Sequence, residues 1–249
     1  MTKLLFRFRD VLDELQAIDT LAHRLISRDG RRRLEQLRGS LEAIQALPSE
    51  TQHNWQIPED QPVVTELSKG EYEIGQRRGV HEVVGEITST WQIKRVPPAG
   101  AKRQEAKLFE VSGNASTKIT IRDASSGDVL ATWRFELGAH DSPGCYVHAQ
   151  ILGDSTDPPF PASLPVPRLP AILFTPAASL EFVLGELFHN RWQQELLRNT
   201  GALGRWKRVQ QERLARLLKW QIDRLGAAGS PWMTLKIAKP AADLFSRER

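Results

Sequence analysis

The sequence predicts an α+β fold: an N-terminal helical hairpin, a central antiparallel β-meander, a proline-rich strap, and C-terminal helices packed on one sheet face. Two observations carry this prediction. Apolar residues recur at helical spacing over 3–47 and 175–225, and they alternate with polar residues over 82–152. No segment between the predicted strands is long enough for the helix that a parallel connection needs, so the strands are expected to be antiparallel.

Residues 1–48 are predicted to form the helical hairpin. One face of the first helix collects its apolar residues, Leu4, Phe8, Val11, Leu15, Ile18, Ala22 and Leu25. The turn is expected at 28–30, because Gly30 tolerates left-handed backbone geometry. A second apolar stripe runs from Leu34 to Ile44. Packing within the chain is favoured for both stripes. The alternative is a structural homo-oligomer joined through these N-terminal helices as a coiled coil.

Residues 49–249 are predicted to form the α+β domain, in one compact unit with the hairpin. Polar residues, proline and glycine dominate 49–80, which indicates a loop with at most short strands. The antiparallel sheet is assigned to 81–152. Its predicted strands are 82–94, 107–113, 117–123, 129–137 and 145–152. Helices are expected to cover one face of this sheet and to leave the other partly open.

A proline-rich strap is predicted at 157–176, followed by helices over 177–225. Seven of the 19 residues from Pro158 to Pro176 are proline, which indicates an extended, polyproline-like segment lying across the core. A PxxP ligand is the alternative interpretation. Thr175 and Pro176 are typical N-cap and first-turn residues. A second helix, 205–225, follows the break at Gly201 and Gly204, and 231–245 is expected to end the chain as a short strand or extended segment.

A histidine-centred group is the first candidate site. A hairpin closed by 138–144 is expected to pair Glu136 with Tyr146 and Arg134 with His148, on the polar face of the sheet. Cys145 is expected to face the core. A histidine beside a carboxylate can act as a general base at neutral pH. The alternative function is therefore a metal-independent hydrolase or nuclease centred on His148. Its candidate catalytic residues are His148, Glu136, Arg134, His140 and Asp141.

A basic C-terminal helix is the second candidate site. The chain has a net charge of +4, and the basic excess lies in its last third. Arginine and lysine can neutralise phosphates, and an exposed tryptophan can stack on a base. The candidate nucleic-acid-binding residues are Arg205, Lys207, Arg208, Arg213, Arg216, Trp220 and Arg224. The opposite, apolar stripe is predicted to face the core and consists of Trp206, Leu214, Leu217, Leu218, Ile222 and Leu225.

The function indicated by these features is a non-catalytic cytoplasmic binding protein or a subunit of a multi-protein complex. The N-terminus lacks the apolar run of a signal peptide, and a single cysteine is typical of a reducing compartment. The sequence contains no GxxxxGK[ST], HExxH or GxSxG motif, so neither cofactor nor metal is predicted. The expected partner is a protein or a second copy, with nucleic acid as a further possibility. No membrane partner is expected, because no apolar run reaches spanning length.

Overall fold

Antiparallel strands form one sheet, and helices from both ends of the chain pack against it. The structure, a computed structural model, describes residues 4–49, 51–70, 82–97, 107–138, 145–151, 169–172, 175–227 and 229–246. Its helices are α1 (Phe8–Leu21), α2 (Arg28–Ala46), α3 (Pro176–Arg198), α4 (Thr200–Leu225) and α5 (Pro231–Ile237). Its strands are β1 (Leu4–Arg7), β2 (Gln52–Ile57), β3 (Val63–Val64), β4 (Val83–Val96), β5 (Leu108–Asp123), β6 (Val129–Leu137), β7 (Val147–Ile151) and β8 (Leu169–Pro170).

The strand order confirms the predicted antiparallel meander. The main path of the sheet runs β2-β4-β5-β6-β7-β8, with β3 beside β4 and β1 beside β5. Every one of these pairs is antiparallel. β5 is one continuous strand, although two strands were predicted from 107–113 and 117–123. The first part of β5 pairs with β1 and the rest pairs with β6, so β1 occupies the place that β6 leaves empty.

The apolar face of the sheet lies under the helices, as predicted. Phe182 of α3 makes edge-to-face contacts with Trp133 and Phe135 of β6, at centroid distances of 6.3 and 6.4 Å. Further along the sheet, the fully buried Trp55 and Trp91 meet edge to face at 5.7 Å. The indole Nε1–H of Trp55 donates to the Leu37 carbonyl at 2.9 Å, which ties α2 to β2. The burial of these rings and their satisfied polar atoms fix how the helices dock.

The N-terminal helices are confirmed, but their boundaries differ from the prediction. Leu4 lies in β1, because it pairs with Val111 of β5 rather than continuing the α1 stripe. The chain turns at 22–25, and Ser27 caps α2 by accepting the Gly30 N–H at 3.0 Å. Gly30 is therefore helical and does not form the predicted turn. The division into 1–48 and 49–249 stays a prediction, and buried residues of both segments belong to one hydrophobic core.

The C-terminal half differs from the prediction in three places. Residues 231–237 form α5 instead of a strand, because Ser230 caps them and Pro231 fits the first helical turn. Gly201 lies within the first turn of α4 and does not separate two helices. α3 kinks at His189, where φ is 36° and ψ is −107°. Of the strap, only 169–172 and 175–176 lie in the described residues, with β8 as an edge strand. Thr175 and Pro176 occupy the predicted capping positions.

Two further expectations concern membrane-spanning helices and the segment 49–80. Among the described helices, none is both long enough and apolar enough to cross a membrane. Of the segment 49–80, the structure describes 49 and 51–70, where the expected short strands are β2 and β3, both paired with β4.

Candidate interaction surface

The inner face of α4 packs against α1 and the core. Its buried residues are Ala202, Trp206, Val209, Gln210, Arg213, Leu217 and Trp220. Apart from the adjacent pair Val209 and Gln210, they recur at intervals of three and four residues, which places them on one side of a helix. Five of them are apolar or aromatic, and the other two, Gln210 and Arg213, meet a polar group on α1.

Glu14 is that polar group, and it lies fully buried in the apolar stripe of α1. Arg213 binds it in a bidentate manner, with Nη2 at 2.7 Å from Oε2 and Nη1 at 3.0 Å from Oε1. Gln210 Nε2–H donates to Oε1 at 2.8 Å, and the Thr175 hydroxyl donates to the same oxygen. We call these four residues the Glu14 cluster. The cluster joins α1, α3 and α4 through charge-assisted hydrogen bonds, the strong class of such bonds.

The sequence analysis missed Glu14, although the sequence carries a signal for it. Glu14 stands between Val11, Leu15 and Ile18 on a helical stripe that is otherwise apolar. A carboxylate on a buried face needs a cation or several donors, because desolvation of an unpaired charge is costly. The signal therefore predicts a buried basic partner, but it does not say which of the many arginines supplies it.

A small cavity lies beside the Glu14 cluster, between α1, α4 and the C-terminal segment. It is lined by Phe6, Arg7, Asp10, Val209, Glu212, Arg213, Arg216 and Phe245. Its three arginines already have partners: Glu14 for Arg213, Glu212 for Arg216 at 2.6 Å, and the Ser246 carbonyl for Arg7 at 3.0 Å. Burial raises the pKa of Asp10, against the effect of Arg7 and Arg213. All three arginines of the cavity are therefore already engaged with acceptors of the protein.

The predicted nucleic-acid-binding residues do not share one surface. Arg213 and Trp220 are buried, so the expectation of an exposed Trp220 is wrong. Arg216 is half-buried against Glu212, and Arg208 pairs with Asp13 at 3.0 Å. Arg205, Lys207 and Arg224 are exposed. α4 presents the side with Arg213 and Trp220 to the core, because the buried Glu14 supplies a carboxylate for Arg213. Binding of nucleic acid by the exposed cations stays a prediction.

The outer face of α4 is apolar as well, and it is exposed. Only Trp206 and Leu217 of the predicted core stripe are buried. Leu218, Ile222 and Leu225 are exposed by 46%, 65% and 44%, and Leu214 is half-buried. The expectation that this stripe faces the core is therefore wrong for most of its length. α4 is a helix with two apolar sides, of which the fold covers only one.

α5 carries exposed apolar side chains as well. Trp232, Met233 and Ile237 are exposed by 45%, 51% and 71%, and α5 has no buried residue at all. It contacts α4. A seven-residue helix is marginal in water and usually depends on tertiary burial. We define the α4–α5 surface as the exposed apolar side chains of these two helices: Leu218, Ile222, Leu225, Trp232, Met233 and Ile237.

Cationic side chains border the α4–α5 surface. Residues 214–239 contain five basic residues and one acidic residue, Asp223, and one of the five, Arg216, lies in the cavity lining and pairs with Glu212. Lys219 pairs with Asp223 at 3.3 Å, and both are exposed. Arg224 and Lys239 are exposed and Lys236 is half-buried. The surface therefore combines an apolar centre with a net positive border.

The histidine-centred group lies on the face of the sheet opposite to Trp133 and Phe135, the two residues of β6 that pack against α3. Glu136 pairs directly with His148, and Arg134 pairs with Gln150, so the predicted register is wrong by two residues. The Gly138 N–H donates to the Tyr146 carbonyl at 2.7 Å, which closes the hairpin later than predicted. A shift by two residues keeps each side chain on its predicted face, because the strand period is two.

His148 is buried and both ring nitrogens are engaged. Nδ1 lies 2.8 Å from the Cys145 carbonyl oxygen, and Nε2 lies 3.2 Å from Oε2 of Glu136. The two ring nitrogens therefore connect the loop carbonyl of Cys145 to the carboxylate on β6. The hydrogen bond from His148 is the main cause that lowers the pKa of Glu136, with Arg134 3.7 Å away adding to it and burial opposing it.

Three of the five candidate catalytic residues thus lie together, and His140 and Asp141 lie outside the described residues. His148 is 2% exposed, which leaves no open nitrogen for a substrate. Cys145 is buried, as predicted, and burial raises the pKa of its thiol. Burial also raises the pKa of Tyr146 to about 12. Within the described ranges, no three His, Cys, Asp or Glu side chains are arranged to hold a metal ion.

Replacing Glu136 with glutamine is expected to remove a pH-dependent part of the stability. Its pKa is lower in the folded chain than the ordinary 4.5, so the carboxylate stabilises the fold above that value. This contribution is lost as the pH falls through the lowered pKa. At about pH 6, wild type should exceed Glu136→Gln in free energy of unfolding by about 1–2 kcal/mol. At a pH well below the lowered pKa the difference should approach zero.

Urea unfolding at the two pH values measures this difference. Glu42→Gln, on the exposed side of α2, is the control for the loss of one carboxylate. A wild-type advantage of the same size at both pH values would contradict a stabilising contact between Glu136 and His148.

Comparisons with known proteins give no match of any kind: no protein-family model, no curated protein and no solved structure matches the chain.

Proposed function

We propose that the chain is a non-catalytic cytoplasmic binding protein, a subunit of a multi-protein complex, whose protein partner covers the α4–α5 surface. The observation that carries the proposal is the exposed outer stripe of α4, together with the exposed apolar side chains of α5, a helix that contacts α4. Single exposed apolar residues are ordinary on a protein surface, whereas a contiguous group with a polar border is typical of an interaction site. Covering one such side chain contributes about 1.5–3 kcal/mol.

The composition of the surface supports a protein partner. Tryptophan and methionine, here Trp232 and Met233, are enriched at the centres of protein–protein interfaces. Nucleic acid binds mainly through phosphate contacts, which use cations and leave leucine and isoleucine without a role. The N-terminal stripe offers no competing surface for a homo-oligomer, because Val11, Leu15 and Ile18 are buried inside the chain.

Photo-crosslinking in the cells that make the protein tests this proposal. p-Benzoylphenylalanine is incorporated in place of Ile222, at the centre of the surface, and separately in place of Ala43, an exposed position of α2. Irradiation is expected to give a discrete protein adduct from position 222 and none from position 43. Denaturing gels and mass spectrometry measure the adducts.

Two crosslinking results would contradict the proposal. No protein adduct from position 222, or the same adduct from both positions, would overturn the proposed function. Thermal unfolding of both labelled chains at wild-type temperature shows that the label leaves the fold intact.

A further inference from the structure

The outer stripe of α4 has the spacing of a helix-binding seam. Leu218, Ile222 and Leu225 stand at positions i, i+4 and i+7, and Leu214 precedes them by one turn. This spacing is the one by which one helix packs along another, in coiled coils and in helix-in-groove complexes. From Leu214 to Leu225 the stripe is about 16 Å long, enough for a partner helix of three turns.

α5 contacts α4 and carries exposed apolar side chains of its own. The segment that contains α5 is anchored on both sides, because α4 precedes it and the buried Phe245 beyond it stacks on Phe6 at 5.2 Å. Trp232, Met233 and Ile237 therefore stay near α4, although α5 buries none of its own residues. A helix lying along α4 can bury these side chains as well as the leucines, which supplies the tertiary contacts that a short helix needs.

The charge around the seam selects among the possible occupants. A second copy of this chain would bring two positive borders together, and like charges across an interface are unfavourable. A lipid surface of anionic headgroups would meet the same cations, and the crosslinking below distinguishes it from a protein by the kind of adduct it gives. A partner helix with acidic flanks complements Arg224 and Lys236, and its apolar stripe matches the helical spacing of the seam.

We propose that the α4–α5 surface binds an amphipathic helix of a partner protein, whose apolar stripe packs on Leu218, Ile222 and Leu225 and whose flanks carry aspartate and glutamate. This inference rests on the proposed function and names the class of partner. The occupant contributes the apolar side chains that cover the seam, and its carboxylates face the basic border.

The adduct at position 222 tests this inference in two ways. Its crosslinked peptide, identified by mass spectrometry after digestion, is expected to lie in a segment with helical apolar spacing and net negative charge. In addition, Arg224→Glu combined with the label at position 222 is expected to reduce the adduct about tenfold. The matched control is Arg205→Glu, an exposed charge reversal on α4 far from the seam, which should leave the yield unchanged.

The contrary outcomes separate the two proposals. No protein adduct at position 222 overturns the proposed function itself. A protein adduct that maps to a second copy of this chain, to a basic segment or to a strand overturns the acidic helix while keeping a protein partner. An adduct to lipid or nucleic acid overturns both. Equal yields from the Arg224→Glu and Arg205→Glu chains overturn the electrostatic match.

Discussion

Replacement of Arg213 by alanine is expected to lower the free energy of unfolding by about 3–5 kcal/mol. The substitution leaves the fully buried Glu14 without its cation, while Thr175 and Gln210 supply only neutral hydrogen bonds. Removing one partner of a buried ion pair costs more than the pair itself contributes, because the remaining charge stays desolvated. Urea unfolding followed by circular dichroism measures the change, and α1 and α4 should separate first because this pair joins them.

Two variants show whether burial is the cause. Arg208→Ala removes another ion pair between the same helices, with Asp13 at 3.0 Å, but Arg208 is half-exposed, so the cost should stay under about 1 kcal/mol. The double variant Glu14→Leu with Arg213→Met removes both charges and should recover most of the loss. Equal losses for Arg213→Ala and Arg208→Ala would contradict the role assigned to the Glu14 cluster.

Replacement of Gly30 by alanine is expected to destabilise the fold by about 1–3 kcal/mol, although alanine favours helices. A Cβ on Gly30 would lie 2.5 Å from the Val64 carbonyl oxygen and 2.7 Å from Cγ2 of Ile26. That carbonyl already accepts the Ser27 N–H at 3.0 Å, so it has little freedom to move. The first turn of α2 must therefore shift away from β3. Thermal or urea unfolding measures the loss.

Gly39 provides the matched control on the same helix. A Cβ there meets no atom within 4 Å, and the position is exposed. Gly39→Ala should therefore stabilise the chain by about 0.5–1 kcal/mol, through the lower backbone entropy of alanine in the unfolded state. Opposite signs for the two substitutions are expected. A stabilising Gly30→Ala would show that the close approach of α2 to β3 is absent.

The sheet was predictable because its pattern is local. Alternation along β4, β6 and β7 assigns each side chain to a face, and that assignment survives even where the register is wrong. Glu136 and His148 illustrate this point, since they share the predicted face but pair directly instead of diagonally. The exact register depends on where the hairpin closes, and a proline- and glycine-containing turn does not reveal its own length.

Helix boundaries were predicted less well where tertiary contacts override propensity. Leu4 has the right spacing for α1, but it lies in a strand because it pairs with the part of β5 that β6 leaves uncovered. The kink at His189 falls where the sequence carries neither glycine nor proline, so no local signal marks it. The backbone freedom of Gly30 predicts a turn, whereas in the structure Gly30 lies in α2 at a position where a side chain would clash with Val64.

By itself, the sequence determined the fold class, the meander, the face of most strand residues and the burial of Cys145, because each follows from periodicity along the chain. Only the tertiary structure decided which side of α4 faces inward. That helix carries two apolar sides, and Trp206 and Leu217 are compatible with either orientation. The buried carboxylate of Glu14, almost 200 residues away, selects the side that holds Arg213. Leu218, Ile222 and Leu225 are left exposed as a consequence, and the candidate interaction surface exists for that reason.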